Sequence, residues 1–339
     1  MAYHYENLKL EKGMYGQSGR SFAQTLETLD PSENYKGTSL EGLDAFQRQL
    51  KRFDIKVKGA GSDRVEKFFW STESAVLFPE FVSRVVRQGM EEESILPDIT
   101  ATVTNFDGMD YRSIASTPTE EEKKLKRVEE GAQIPQTTIH TQENLVRLHK
   151  RGRMLVAPYE AIRFQRLDLF AVALRQIGAQ IARTAVEDAV KVLIEGDGNE
   201  NPAEVIETAG SGTLTYADLC TLWGKFEDYE MNVLLCNPEV GNKILSLEEL
   251  RQLGDGNRFT APGTYATPFG ALLLKSSAVP ADTVIALDKN CALEMVTAGG
   301  VGVEYDKVID CQTERVGITC ITGFAKLYPD AVKVLKIKE

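Results

Sequence analysis

The chain has little of what catalysis and metal binding usually recruit. Histidine occurs only three times in 339 residues, at His4, His140 and His149, and imidazoles as far apart as the last two on an extended segment do not converge on one ion without a bend. The five cysteines (Cys220, Cys236, Cys291, Cys311 and Cys320) are odd in number and widely spaced, with no C-x-x-C pair. That pattern argues against a disulfide framework or a zinc ribbon and for reduced thiols. The sequence contains no G-x-x-x-x-G-K-[ST], no G-x-G-x-x-G after a strand, no G-x-S-x-G and no H-E-x-x-H, so no phosphate cradle, nucleophile elbow or zincin centre is expected. No catalytic, metal or cofactor residue is nominated. No apolar run approaches the ~20 residues of a membrane span. The opening MAYHYENLKLEKG also lacks the basic-then-apolar order of a secretory signal, and a cytosolic site of synthesis without a membrane partner is the expectation. Positive charge is in deficit too. A net charge of −11 disfavours tight binding to phosphates, because neutralising them is the main source of nucleic-acid affinity.

Against those absences stand 42% apolar and 26% charged residues, enough for a sizeable core in a chain long enough for two or more domains or for one domain with long extensions. Residues 1–75 are polar and turn-rich, with GMYGQSGR, DPSENYKG and VKGAGSD between short amphipathic stretches, and are not expected to build a core alone. Leu43, Phe46, Leu50 and Phe53 recur at helical spacing, which predicts a short helix over 40–53 lying on something else. Residues 78–90 read as a second amphipathic helix that stops at Gly89. Ile99, Ala101 and Val103 then alternate with Thr100, Thr102 and Thr104 as a half-buried strand. A returning strand is expected over 134–156. Between the two lies a stretch rich in both charges, with Glu120, Glu121, Glu122, Lys123, Lys124, Lys126 and Arg127; it reads either as a solvated loop or as an arm that reaches a neighbouring molecule.

The strongest periodicity follows. Leu167, Phe170, Leu174, Ile177, Ile181, Ala185 and Ala189 recur every three or four residues, predicting a helix over about 159–194 that spans roughly 54 Å at ~1.5 Å per residue. Gly196, Asp197 and Gly198 end it. Asp197, Asn199 and Asn201 have the alternation of a calcium loop but lack its closing glutamate, so a helix-terminating turn is the better account. Beyond Pro202 short helices and strands alternate: 216–229 as helix, NVLLCNP as a buried strand, 238–250 as helix, then further strands to the end.

Taken in order, RGRMLVAPYEAIRFQRLDLF, the long helix, LIEGDGNENP, LLCNPEVGNKI, the 263–306 run GTYATPFGALLLKSSAVPADTVIALDKNCALEMVTAGGVGVEYD and the closing LYPDAVKVLKI resemble the major capsid proteins of tailed bacteriophages with the Hong Kong 97-type fold. The resemblance covers most of the chain after about residue 76, and its specificity lies in the order of the motifs. It implies an α+β fold divided into an amino-terminal arm (1–75), the start of a peripheral domain (76–111), an extended β-hairpin loop (112–147), the spine-helix part of the peripheral domain (148–201), an α/β axial domain (202–317) and a carboxy-terminal strand returning to the peripheral domain (318–339). It also implies a structural, non-enzymatic subunit that self-assembles as pentamers and hexamers into an icosahedral head shell enclosing double-stranded DNA. Such a shell is made in a host bacterial cytoplasm and ends in the virion, with scaffolding, portal or decoration proteins as further partners. The acidic balance suits a wall that holds DNA without gripping it. The isopeptide cross-link of one member needs a loop lysine, for which Lys123, Lys124 and Lys126 qualify, and a late asparagine. No asparagine follows Asn290, so a non-covalent shell is expected, with the seven charged loop residues named above making ion pairs between subunits. Two alternatives remain at this stage: an encapsulin-like nanocompartment of the same fold, and a cytosolic α+β enzyme with an acidic site.

Overall fold

Polar side chains placed just ahead of apolar runs start the first helices. In the computed structural model, which describes residues 4–16, 20–106, 108, 110–115, 127, 130, 140–158, 163–252, 259–261, 264–267 and 269–338, Ser21 caps helix α1 (Phe22–Leu29) by accepting from the Gln24 amide while Gln24 accepts from the Ser21 amide. Asp44 and Gln47 repeat this reciprocal cap at α2 (Ala45–Arg52). Helix α3 (Leu77–Glu93) follows. Strands β1 (Thr102–Asn105), β2 (Ile114–Ala115), β3 (His140–Thr141) and β4 (His149–Pro158) lead to the long helix α4 (Leu167–Glu195). After β5 (Glu204–Glu207) come α5 (Tyr216–Gly224), β6 (Val233–Cys236) and α6 (Pro238–Leu245). The chain closes with β7 (Phe259–Ala261), β8 (Thr264–Ala266), β9 (Leu272–Lys275), β10 (Thr283–Leu287), β11 (Leu293–Thr297), β12 (Gly302–Val308), β13 (Thr313–Lys326) and β14 (Val332–Lys336).

Two compact units share this chain: residues 1–93, 150–182 and 299–320 form one, and residues 94–149, 183–298 and 321–339 the other. In the first, much of the apolar surface of the polar, turn-rich amino-terminal segment is buried against later elements. Leu8, Phe22, Leu26, Phe46, Leu50, Val65 and Phe68 join one core with residues of α3 and the first half of α4. Polar side chains make that burial possible. Arg48, fully buried, donates to the Asp30 carboxylate at 2.7 Å, to Ser32 and to the Leu43 carbonyl, and lies over the Tyr35 ring. Gln49 and Arg52 donate to the carbonyls of Tyr5 and Leu8. A chain that looks polar is therefore satisfied from within.

Gly89 does not stop α3, which continues to Glu93. It serves close approach instead. A Cβ at Gly89 would run into the backbone of Arg175, and one at Gly178 into the Val86 carbonyl, so α3 and α4 touch backbone to backbone at this pair of glycines. Helix α4 starts at Leu167 and not near the expected 159, at a point where backbone hydrogen bonds to residues 63–65 hold the chain just before it. The Val65 amide donates to the Gln165 carbonyl and the Leu167 amide to Asp63, around an antiparallel bridge between Arg64 and Arg166. Its 29 residues span about 43 Å at ~1.5 Å per residue, and it ends at Gly196, whose φ of 87° suits a glycine after a helix. Among the described residues, no helix is long and apolar enough to cross a membrane.

The second unit centres on a sheet of order β5-β14-β10-β6-β9-β8-β7. VLLC of β6 and TVIAL of β10 are buried throughout, as expected for strands covered on both faces. Val233, Leu235, Ile285, Leu287, Val332 and Val334 pack with Ala185, Val186, Ala189, Val190 and Leu193 of α4. Leu234, Cys236, Val284, Ala286 and Leu335 pack with α5 and α6. Strand β14, the segment expected to run back to the spine-helix region, lies between β5 and β10. Its alternating side chains feed both apolar layers of this sheet, and Lys333 pairs with Glu204 of the neighbouring strand at 2.8 Å. The expected half-buried strand also differs: Ile99 is buried in a short helix, whereas Val103 of β1 is largely exposed.

Candidate functional site

For a protein without a catalytic constellation, the informative place is the root of the charged loop, inside the second unit. Of the residues nominated there, Glu120, Glu121, Glu122, Lys123, Lys124 and Lys126 lie outside the described residues, and Arg127 is exposed. The described roots are ordered by pairing. Strands β2 and β3 match Ile114 with Thr141 and Ala115 with His140, the Gln142 amide donates to the Ser113 carbonyl at 2.9 Å, and the Val146 amide to Tyr111 at 2.9 Å. Beneath them Val146, Val296 and Ala325 form a small apolar cluster with Phe106, Tyr111 and Leu148, so the roots sit on packed side chains.

Two carboxylates, one buried and one half-buried, organise the polar side of this platform. Glu294 of β11 is 3% exposed. One of its oxygens accepts from the Thr104 hydroxyl at 2.5 Å and the Tyr111 phenol at 2.6 Å, and the other accepts from the Ser113 hydroxyl. All three donors belong to the arm that leaves toward the loop. Burial and the hydrogen bond to this carboxylate push the Tyr111 phenol up from its ordinary value. A buried carboxylate is tolerated here because three hydroxyls donate to its two oxygens.

Asp197 does the same for the returning arm. Its Oδ2 accepts from Gln142 Nε2 at 3.1 Å and from the Lys326 amide at 2.9 Å, and its Oδ1 accepts from the Asn199 amide and side chain. Asn144 adds two bonds to the same turn, its amide donating to Asn199 Oδ1 at 2.9 Å and its side chain to the Gly198 carbonyl at 2.7 Å. Lys326, with no exposed surface, donates from Nζ to the carbonyls of Leu193 (3.1 Å) and Asn201 (3.0 Å). It thereby satisfies a carbonyl that the end of α4 leaves without a helical partner. Burial pushes its amine down to about 8.

This arrangement also decides the calcium-loop question raised by Asp197, Asn199 and Asn201. Both Asp197 oxygens are engaged with N–H donors and a buried ammonium stands beside the turn, so the residues serve as acceptors within the chain. No group of metal-ligating side chains is gathered among the described residues. His149 is exposed at the start of β4 and His140 lies in β3. Sequence reasoning noticed the turn but missed Glu294, Lys326, Ser113 and Gln142. A signal existed for two of them: CALEMV and GFAKLY each set one charge among apolar neighbours, and such a charge is either on an edge or buried with partners.

The family model described as phage capsid protein matches residues 142–327, more than half of the chain, from Gln142 of the loop root to the residue after Lys326. No curated protein matches. Among solved structures, the chain is similar to the capsid of a native GTA particle (15% identity, TM-score 0.52, covering 72% of this chain and 90% of that one). It is likewise similar to the capsid of the cyanophage P-SCSP1u (17% identity, TM-score 0.51, covering 72% and 88%) and to the holo-SrpI encapsulin complex from Synechococcus elongatus (13% identity, TM-score 0.50, covering 73% and 88%). At such identities the likeness is one of fold, the mixed α+β fold of Hong Kong 97-type capsid subunits. With that fold, and with the family's pattern running through both the long helix and the residues that clamp the loop root, this chain belongs to the phage capsid protein family.

Proposed function

We propose that copies of this chain close into an icosahedral head of pentamers and hexamers that encloses double-stranded DNA, held together without covalent cross-links. The coarser part of the reading, a structural, self-associating shell subunit located in the virion capsid, follows from family membership; the family match over residues 142–327 is the observation that carries it. The finer part rests on physical argument. A shell subunit must offer different surfaces to different neighbours under closed symmetry, and a charged loop rooted on a rigid platform is suited to reach one of them. In this reading residues 112–147 are the extended loop, 76–111 and 148–201 the peripheral domain, 202–317 the axial domain, and 318–339 the closing strands. Residues 1–75 are the amino-terminal arm, whose described part packs into the core of its own unit. Glu120, Glu121, Glu122, Lys123, Lys124, Lys126 and Arg127 make ion pairs with neighbouring subunits, each worth under about 1 kcal/mol and weakened by salt. A net charge of −11 keeps the wall from adhering to packaged DNA, and assembly takes place in a bacterial host cytoplasm with whatever scaffolding, portal or decoration proteins that host system supplies.

Negative-stain electron microscopy of the purified full chain, with the nucleic-acid content of any particles, tests this. Closed particles are expected, and their filling distinguishes a head for DNA from the protein-filled compartment that the encapsulin likeness raises. Deletion of residues 119–130 is expected to leave folded subunits whose particles fall apart at lower salt than the parent's. A chain that stays solitary at high concentration overturns the reading.

A further inference from the structure

The two arms of the loop are held by different elements. The outgoing arm, through Thr104, Tyr111 and Ser113, is bonded to Glu294 on β11. The returning arm, through Gln142 and Asn144, is bonded to Asp197, Gly198 and Asn199 in the turn after α4. Between the two stands Lys326. Its residue position pairs with Leu293, next to Glu294, in the β11–β13 ladder, its amide reaches Asp197, and its ammonium reaches the Leu193 carbonyl near the end of α4 and the Asn201 carbonyl beyond it. Gln142 also donates to the Lys326 carbonyl at 3.1 Å.

We propose that Glu294 and Asp197 are positioning residues which clamp the outgoing and returning arms separately, and that these two clamps together set the direction in which the loop leaves the subunit. The geometry favours this over a purely structural role for either carboxylate. Glu294 accepts from three hydroxyls of the outgoing arm, Asp197 accepts from Gln142 of the returning arm, from the Lys326 amide and from Asn199 of its own turn, and a carboxylate at 3% exposure with three hydroxyl donors, as at Glu294, is costly to assemble unless something depends on the result. Releasing one clamp frees one arm while the other still holds its end, so the loop swings and the unit stays folded. The consequence for assembly rests on the loop reading given above; the existence of two clamps does not.

Hydrogen exchange with mass spectrometry on the full-length chain separates the two, comparing each variant with its parent in the same oligomeric state. Glu294→Ala is expected to speed exchange of peptides covering 108–115 by about tenfold or more, the loss of a hydrogen bond to a buried charge being worth that much, while 140–148 stays within about twofold. Glu294→Gln restores protection, since its carbonyl oxygen still accepts from Thr104 and Tyr111 and its amide donates to the Ser113 hydroxyl oxygen. Asp197→Ala gives the reverse pattern, with 140–148 loosened and 108–115 held. Where Glu294→Ala does not fold, Tyr111→Phe removes one donor without changing core shape and is expected to loosen 108–115 alone. In the microscope, Glu294→Ala and Asp197→Ala are expected to give misshapen or heterogeneous particles, and Glu294→Gln particles of parental uniformity. Arms that loosen together, arms that do not loosen at all, or a Gln variant that behaves like Ala overturn the proposal. A parent that forms no particles sinks the shell reading instead, and leaves the exchange comparison to decide the clamps.

Discussion

Consider adding a single methyl group at Gly178. The new Cβ would meet the Val86 carbonyl oxygen, with the Met90 amide nitrogen at 2.9 Å and the Gly89 carbonyl carbon at 3.1 Å. All three are backbone atoms of α3, so no side chain can rotate away and the two helices must separate. Alanine itself favours a helix over glycine by about 1 kcal/mol. Overpacking of a close-packed core costs about 1–3 kcal/mol, and the upper end applies where the obstacle is main chain. A net loss of about 2 kcal/mol is therefore expected for Gly178→Ala, by balancing the propensity gain against the overpacking cost. The control is Gly224→Ala at the exposed end of α5, where a Cβ meets nothing within 4 Å and stability should stay level or rise slightly. Urea titrations followed by far-ultraviolet circular dichroism measure both. If Gly178→Ala unfolds at the same urea concentration as the parent or higher, the helices do not meet as described and the argument fails.

Two further tests probe buried charge. Removal of Arg48 leaves the Asp30 carboxylate, 1% exposed, with only the Tyr35 hydroxyl among its charged and hydroxyl partners described here, so Arg48→Ala should cost about 3–5 kcal/mol in thermal or urea unfolding. Lysine should not rescue it, because it lacks the planar fork that serves Asp30, Ser32 and Leu43 at once; full rescue by Arg48→Lys would refute that geometry. Lys326 has a pH signature. Its amine is held near 8 in the folded protein against an ordinary 10.5, so between those values the unfolded chain binds more protons and stability rises with pH. The increment is about 3 kcal/mol, complete by pH 10.5 and absent below 8. Lys326→Met lacks a titrating group there, so the difference in stability between parent and variant should change across that window; a pH-independent difference between the two proteins would rule this out.

How far the sequence discloses the fold depends on whether burial leaves a periodic mark. Helix α4 does, because its apolar positions serve two cores one after the other along the same stripe, and β6 and β10 do, as short continuous apolar runs. The amino-terminal segment does not. Its helices are only eight residues each, and its interior includes Arg48 and Gln49, which look like surface residues until their partners, the carboxylate of Asp30 and the carbonyl of Tyr5, are brought up from distant positions. Gly89 misleads for a related reason. A glycine near the end of an amphipathic run reads as a stop, and only the facing Gly178 in α4 shows that it is a contact.

The loop root follows the same logic, which is why its charged tip drew attention before its anchors did. Runs of charge such as 120–127 are conspicuous in a sequence, but ion pairs between solvent-exposed side chains in general contribute little. The residues that determine where such a loop goes are few, mostly buried and scattered: Ser113, Gln142, Asp197, Glu294 and Lys326 come from five separate stretches of chain. No spacing rule joins them, since their proximity is created by β11 pairing with β13 and by α4 ending beside both. A lone glutamate or lysine inside an apolar strand is the trace such an anchor leaves, because the strand forbids it solvent and so requires a partner. Glu294 carries that trace and collects its three hydroxyl donors from a segment about 180–190 residues earlier. In a shell subunit the same device lets a fixed core dictate the path of the segment that leaves it, and a substitution at the anchor should therefore be felt at an interface the anchor never touches.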